Sequence, residues 1–372
     1  MKYCTHCVLP STRPNLALNE EGICNACTAH RSKPRIDWAA RERSFQNVVR
    51  YAKTRSSGYD CLIPVSGGKD STWQVVTCLR YGLHPLAVTW KTPGRTALGA
   101  QNLANLIRLG VDHIDYQINP DVEKLFMYQA LVRCGSTAIP MHLALFNIPL
   151  TIAVRFNIPL VVWGENSAFE YGGAEDERYG FQLDRQWLRK YGATQGTTAH
   201  DWVSEQLSEK ALTPYFGPGE VELEKAGVHA VFLGYYFPWD PETSLCVAQA
   251  YGFQTRREGP KTGYYNYADI DDDFISIHHY LKWYKFGFTR LFDNLSLEIR
   301  NGRMTRAQAI DIIRARGDDT PYEDIEKFCA FVGITTNHFF EVIEQFRNPV
   351  IWKRRNGVWM IEDFLIPDWK WA

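Results

Sequence analysis

Short apolar runs alternate with stretches whose apolar residues recur at helical spacing through the first two thirds of the chain. The runs Cys61–Val65, Pro85–Trp90, His113–Ile118, Pro159–Trp163 and Val228–Phe237 read as five strands. Between them the spacing predicts helices over about 36–59, over Thr72–Arg80 (ended by Gly82), over Thr96–Leu109 (ended by Gly110), and over Val122–Arg133 and Leu143–Phe156. Strands that alternate with helices in this way predict an α/β fold, a parallel sheet with helices on both faces. From about Ile275 the pattern turns mainly helical. Thr305-x-x-Gln308 and Thr320-Pro321-Tyr322-Glu323 have the form of capping boxes, Gly317 and Gly333 of C-terminal stops, and Asn356-Gly357 of a type I′ hairpin turn. The expected organisation is a small N-terminal module over 1–35, an α/β domain over 36–265 and a mainly helical domain over 266–372.

Composition narrows the class. A chain of 372 residues holds two or three domains with a large core. Its formal charge is −1, against the basic excess of a general nucleic-acid binder. Leu143–Gly164, the most apolar region, is broken by Asn147, Pro149, Arg155, Asn157 and Pro159, so no membrane span is expected. Lys2 is followed at once by a polar, cysteine-bearing segment, which gives no signal peptide, and a cytoplasmic location is expected. Nine cysteines point to metal or free thiols rather than a disulfide framework. Four of them form two knuckles, Cys4-x2-Cys7 and Cys24-x2-Cys27. Four thiolates with no fifth ligand suit a closed, structural zinc site, and an iron–sulfur centre would use the same sulfurs.

The chemistry centres on Ser66-Gly67-Gly68-Lys69-Asp70-Ser71, between the first strand and its helix. In such a turn backbone N–H groups converge on phosphate oxygens, with Lys69 adding charge and Ser66 and Ser71 adding hydroxyls. Walker A fails, because Asp70 follows Gly68-Lys69 and Ile63 stands where a glycine is needed; the dinucleotide fingerprint fails because the glycines are adjacent. Ligands of parallel sheets sit beyond the carboxyl ends of the strands. That rule places the loop, Lys91 after the second strand, and Glu165 and Asn166 after the fourth on one rim. Trp239 and Asp240 follow the fifth strand, for function or for plain loop packing. The helix over His278–Phe288 carries Lys282 and Lys285, which suit a diphosphate or a surface face equally. Asp271–Asp273 and Lys353–Arg355 read as solvated faces, with a metal or phosphate role as the alternative for each. Trp359, Trp369 and Trp371 read as docking residues. The segment Asp184–Leu212, with a helical stretch over Asp201–Glu209, reads either as a substrate-facing insertion or as a solvated excursion.

The hexamer resembles the PP-loop, SGGxDS, of the ATP pyrophosphatase superfamily, whose fold is adenine nucleotide alpha hydrolase-like. With the cysteine pairs, GENSAFEYGG (Gly164–Gly173), HHYLKWYKFGFTR (His278–Arg290) and LEIRNGRMTRAQAI (Leu297–Ile310), the chain resembles the N-acetyl sugar amidotransferases of O-antigen and flagellar glycan synthesis. The resemblance implies conversion of an acetamido group on a nucleotide-diphosphate sugar to an acetamidino group, in lipopolysaccharide synthesis. It implies ATP cleaved to AMP and pyrophosphate with Mg2+, and a structural zinc on Cys4, Cys7, Cys24 and Cys27. ATP is expected at Ser66, Gly67, Gly68, Lys69, Asp70, Ser71, Trp90 and Gly164. The acceptor is expected at Lys91, Asn166, Glu170, Tyr171, Lys282 and Lys285, with Lys69, Asp70 and Glu165 as the catalytic set. Asp70 either contacts the ion or caps the helix. No glutaminase signature is present: position 2 is Lys, and Cys134 lies in Val-Arg-Cys-Gly-Ser rather than in a Gly-x-Cys-x-Gly elbow. The resemblance implies ammonia from partner subunits similar to the glutaminase and barrel cyclase of imidazole glycerol phosphate synthase. The rival class is a PP-loop tRNA thiolation enzyme, but Cys61, Cys78, Cys134, Cys246 and Cys329 make no second knuckle set.

Overall fold

The computed structural model describes residues 1–173, 187–188, 190, 193–317 and 319–371. Five parallel strands, β1 Cys61–Pro64, β2 Pro85–Trp90, β3 Asp112–Tyr116, β4 Leu160–Trp163 and β5 His229–Phe232, form one sheet in the order β3-β2-β1-β4-β5. Leu62 of β1 stands opposite Leu86 of β2 and Val161 of β4. The pleat sends Leu62, Leu86, Val88 and Val161 to one face, against the helices Pro120–Cys134 and Ile139–Arg155. Cys61, Ile63, Ala87, Leu160 and Val162 face the helices Trp38–Arg55, Lys69–Arg80 and Ala97–Ile107. Burial on both faces is why the central strands read as unbroken apolar runs. The edge strand β3 exposes Asp112 and Asp115, charges that blunt further pairing.

Three expectations need correction. The fifth strand stops at Phe232, and Leu233–Tyr236 coil into a helical turn. There the N–H of Gly234 donates to the Gly164 carbonyl at 3.0 Å, at a spot where a Cβ would stand 3.2 Å from the Glu165 Cα. Trp239 and Asp240 therefore follow a helical turn, not a strand end. The helix expected over Asp201–Glu209 is only a 3-10 turn, Ala199–Trp202, closed by Thr198 and Asp201. Trp202 is fully buried against Phe126, with ring centroids 5.0 Å apart, and Leu207 and Leu212 are buried with it, so three side chains anchor in the core a stretch that is otherwise largely exposed from Asp201 to Lys210. The earlier part of that expected insertion, 184–186, 189 and 191–192, lies outside the described residues. Last, Asp271–Asp273 is not a solvated face: Asp272 is buried, and Asp273 pairs with Lys261 and Lys327. Lys353–Arg355 is exposed as expected.

The C-terminal region is mainly helical, with the helices Ile275–Phe286, Arg290–Arg300, Arg306–Arg316, Tyr322–Val332 and Thr336–Glu344. Thr305 and Gln308 form their capping box, and Gly333 ends its helix in the left-handed region. The box expected at Thr320 does not form, because the helix starts one residue later, with Pro321 at the cap position. The hairpin β6 Trp352–Arg355 and β7 Val358–Ile361 turns on Asn356 and Gly357, both at positive φ. Trp369 and Trp371 dock against Trp283. The N-terminal module has no separate core: its four cysteines, Val8, Leu9 and Ile23 share one with Phe288, Leu291, Leu295, Trp352 and Ile361. Among the described residues no helix is long and apolar enough to cross a membrane.

Candidate active site

The order of the sheet decides where a ligand goes. From β1 the chain crosses to β2 on one side, while β4 lies on the other, so a crevice opens at the carboxyl end of β1. The Ser66–Ser71 loop fills that position. Gly67 has φ +87°, and a Cβ there would meet the Leu103 backbone nitrogen at 2.6 Å. The Ser66 N–H donates to Ser71 Oγ at 3.0 Å and the Gly68 N–H to Ser66 Oγ at 3.2 Å, which folds the loop onto the first turn of the helix Lys69–Arg80. Gly68 is the N-cap and carries no side chain, so the first turn keeps donors for an external anion. Asp70 is not the cap. Its Oδ2 lies 2.6 Å from Lys69 Nζ, and its Oδ1 accepts from the Trp239 indole at 2.9 Å. Lys69 is buried, with its ammonium 5.4 Å from the Trp239 ring centroid.

Two chambers meet above this loop. The smaller, about 190 Å³, is lined by Ser66, Gly68, Lys69 and Asp70 and is roofed by Tyr267 and Asp271. The Asp271 side chain hydrogen-bonds Ser66. The larger, about 540 Å³, is lined by Arg13, His142, His278, His279, Lys282 and Lys285. Glu165, Tyr171, Asp269 and Arg290 line both and form the wall between them. Arg290 Nε lies 3.0 Å from Asp269 Oδ2. Burial raises the Asp269 carboxyl, but Arg290 and His279 outweigh it and hold the group well below the usual carboxylate range. Burial pushes Glu165 up to about 7; Asp70 adds to the rise and Lys69 opposes it. Burial also brings Lys282 and Lys285 down to about 8, although Asp293, 3.7 Å from Lys282, acts the other way on Lys282. The larger chamber thus gathers cations and neutral imidazoles: His142 and His279 are each lowered to about 4 by burial.

The sequence-derived residues fall into two groups. The loop, Glu165, Tyr171, Lys282 and Lys285 converge on the two chambers. The others are placed elsewhere. Gly164 packs against Gln74, where a Cβ would meet Nε2 at 2.4 Å. Asn166 caps the helix Ser167–Tyr171 by accepting from the Ala168 N–H, and Glu170 is paired with Lys33 at 2.8 Å. The Trp90 indole donates to Glu123 at 2.7 Å, and Lys91 bonds Gln117 in a third cleft of about 450 Å³ beside β2 and β3. Sequence reasoning missed Asp269 and Tyr267, in a stretch that reads as polar loop, and it missed Arg13 as a chamber residue. The alternation of Tyr264, Tyr265 and Tyr267 with Asp269 and Asp271 was the available signal.

The four predicted cysteine ligands come together. Cys4, Cys7, Cys24 and Cys27 are buried, with sulfur atoms all within 4.8 Å of one another. Cys4 to Cys27 is 4.0 Å and Cys7 to Cys24 is 3.8 Å; a tetrahedral zinc with bonds of about 2.3 Å sets sulfurs about 3.8 Å apart. The N–H groups of Cys7 and Cys24 point at Cys4 Sγ, at 3.4 and 3.2 Å. Arg300 is buried beside the cluster with its Nε and Nη1 unpaired, a cation suited to a site carrying excess thiolate charge. These residues fit a structural zinc.

Fold and site together define a parallel α/β protein with a glycine loop at its switch point, joined to a four-cysteine module. Residues 261–365, which supply Lys282, Lys285, Asp269, Asp271 and Arg290, match the family model described as LPS biosynthesis protein WbpG-like, C-terminal domain. The C-terminal region is thus similar to a domain described for lipopolysaccharide biosynthesis proteins. Among solved structures, NMN synthetase from Francisella tularensis is similar at 12% identity, over 75% of this chain and 92% of that chain, with a TM-score of 0.38. No curated protein sequence matches the chain.

Proposed function

We propose that this protein is an ATP-dependent amidotransferase that converts an acetamido group of a nucleotide-diphosphate sugar to an acetamidino group during lipopolysaccharide synthesis. One observation carries the reading: a phosphate-loop chamber and a larger cationic chamber share a wall that bears Glu165. The WbpG-like domain, which builds much of that larger chamber, supports the glycan setting.

An acetamide is a poor electrophile, and its oxygen is not displaced by ammonia unaided. In the first step that oxygen attacks the α-phosphorus of ATP, the bond to the bridging oxygen breaks, and pyrophosphate leaves. Loop amides at Gly67, Gly68 and Lys69, with the Lys69 charge, stabilise the departing anion. Asp70 and Asp271 offer the carboxylate oxygens that a magnesium ion on the phosphates would take. In the second step ammonia adds to the imidate carbon, Glu165 accepts a proton, and the carbon–oxygen bond to AMP breaks to leave the amidine. Lys282 and Lys285 receive the acceptor's diphosphate as charge-assisted donors. The tRNA thiolation reading gains no support here. Cys61 and Cys78 are buried in the sheet core, Cys246 is exposed, and no cysteine lines either chamber among the described residues.

Incubation with ATP, magnesium, an ammonium salt and a panel of diacetamido sugar nucleotides is expected to give a product with one oxygen replaced by one NH, read by mass spectrometry. Glutamine is expected to replace ammonium only when a glutaminase and barrel subunit pair is added. Use of glutamine by the purified chain alone would contradict the partner assignment.

A further inference from the structure

The wall between the chambers is a weak element by itself. β4 ends at Trp163, and the helix Ser167–Tyr171 is too short to hold its own shape. Its far end is tied from outside. Arg13 Nη1 donates to the Tyr171 carbonyl at 2.8 Å, Asn25 Nδ2 to the Gly173 carbonyl at 3.3 Å, and Arg300 Nη2 to the Glu170 carbonyl at 2.9 Å. Lys33 pairs with the Glu170 carboxylate. Arg13 and Asn25 belong to the cysteine module, and Arg300 lies against its sulfurs.

Arg13 does more than tie a carbonyl. It stands in the loop between the knuckles, where its N–H donates to the Pro10 carbonyl and its own carbonyl accepts from the Leu16 N–H, each at 3.1 Å. From that fixed turn its Nε reaches Asp293 at 2.8 Å, and the same carboxylate is 3.7 Å from Lys282. Arg13, Pro14 and Asn15 all line the larger chamber. Without Arg13, Lys282 would be the cation left within 4 Å of Asp293, with Arg290 acting from farther away, and the carboxylate would draw that ammonium away from an anionic ligand.

We infer that the four-cysteine module is a wall of the larger chamber, and that Arg13 is the positioning residue through which the module sets the Glu165–Tyr171 segment and the placement of the Lys282 ammonium. A metal held by Cys4, Cys7, Cys24 and Cys27 would then matter beyond local stability, because those cysteines flank the loop that carries Arg13. The inference rests on the proposed function only where the chamber's ligand is called an acceptor sugar.

Hydrogen exchange on the full chain tests it. Arg13→Ala, with zinc content equal to the parent, is expected to exchange about tenfold faster over 164–173 and no faster over 61–72. Protein stripped of zinc by a chelator under reducing conditions should show the same pattern. With a working acceptor, KM for the sugar nucleotide should rise about tenfold or more while kcat falls far less. Arg13→Lys keeps a charge beside Asp293 but lacks the fork that also reaches Tyr171, and should restore only part of the loss. Unchanged exchange over 164–173 in Arg13→Ala, an unchanged KM, or full recovery by lysine overturns the inference. Faster exchange with no sugar nucleotide accepted would leave the inference standing and remove the proposed function.

Discussion

Gly67→Ala is expected to reduce AMP formation by about 10²-fold or more, the scale seen when preorganised oxyanion donors are lost. The reason is geometric. At φ +87° an L-residue is strained by roughly 1–2 kcal/mol, and the new methyl would sit 2.6 Å from the Leu103 nitrogen and 2.8 Å from its Cα. Both contacts are backbone, at the first turns of the helix Ala97–Ile107, so neither yields by a rotamer change. The loop must shift, and with it the amides of Gly68 and Lys69. Isothermal calorimetry with Mg–ATP checks the effect: binding should weaken to near the detection limit while zinc content stays at the parent level. Retained nucleotide affinity would mean that the loop is not the triphosphate site. Gly68→Ala is a useful contrast, since a Cβ there meets only Ser66 Oγ at 3.2 Å, and it should lose far less.

Glu165→Gln is expected to lower kcat by about 10²-fold, the lower end of general-base contributions. Burial, with Asp70 reinforcing it, holds the Glu165 carboxyl at about 7. Below that pH the group is protonated and accepts nothing, so kcat should rise with pH through about 7 in the parent and stay flat in the variant. Stability runs the other way. The folded state keeps the proton that the unfolded chain releases at its ordinary carboxylate pKa of about 4.3, so folding loses stability as pH climbs from there to about 7. Glutamine removes that loss, and the variant should melt at a higher temperature than the parent at pH 8 but not at pH 4. A turnover profile unchanged by the substitution removes Glu165 as the base.

How much of this was visible beforehand depended on whether a signal was local. The strands β1, β2 and β4 were plain because both faces are buried and every position but Thr89 is apolar. The phosphate loop and the cysteine knuckles were plain because their chemistry fixes residue type at fixed spacing. The fifth strand was overextended because Val228–Phe237 is apolar throughout, and periodicity cannot distinguish strand from helical turn in such a run. Asp271 and Asp272 looked solvated because charge predicts exposure unless a tertiary partner is known. Their partners, Ser66 and the cover over Gly94 and Gly99, lie far away in the sequence. Trp90 and Lys91 follow a strand on the expected rim, yet β2 lies on the far side of β1 from β4, and their side chains turn to Glu123 and Gln117. Arg13 was hidden for a similar reason: nothing near it in the chain points to Tyr171 or Asp293.

The identity of the released nucleotide is the most direct test. With acceptor, ammonium and ATP labelled at the α-phosphate, the account predicts labelled AMP and unlabelled pyrophosphate in equal amounts, dependent on acceptor. Labelled ADP with orthophosphate would contradict it.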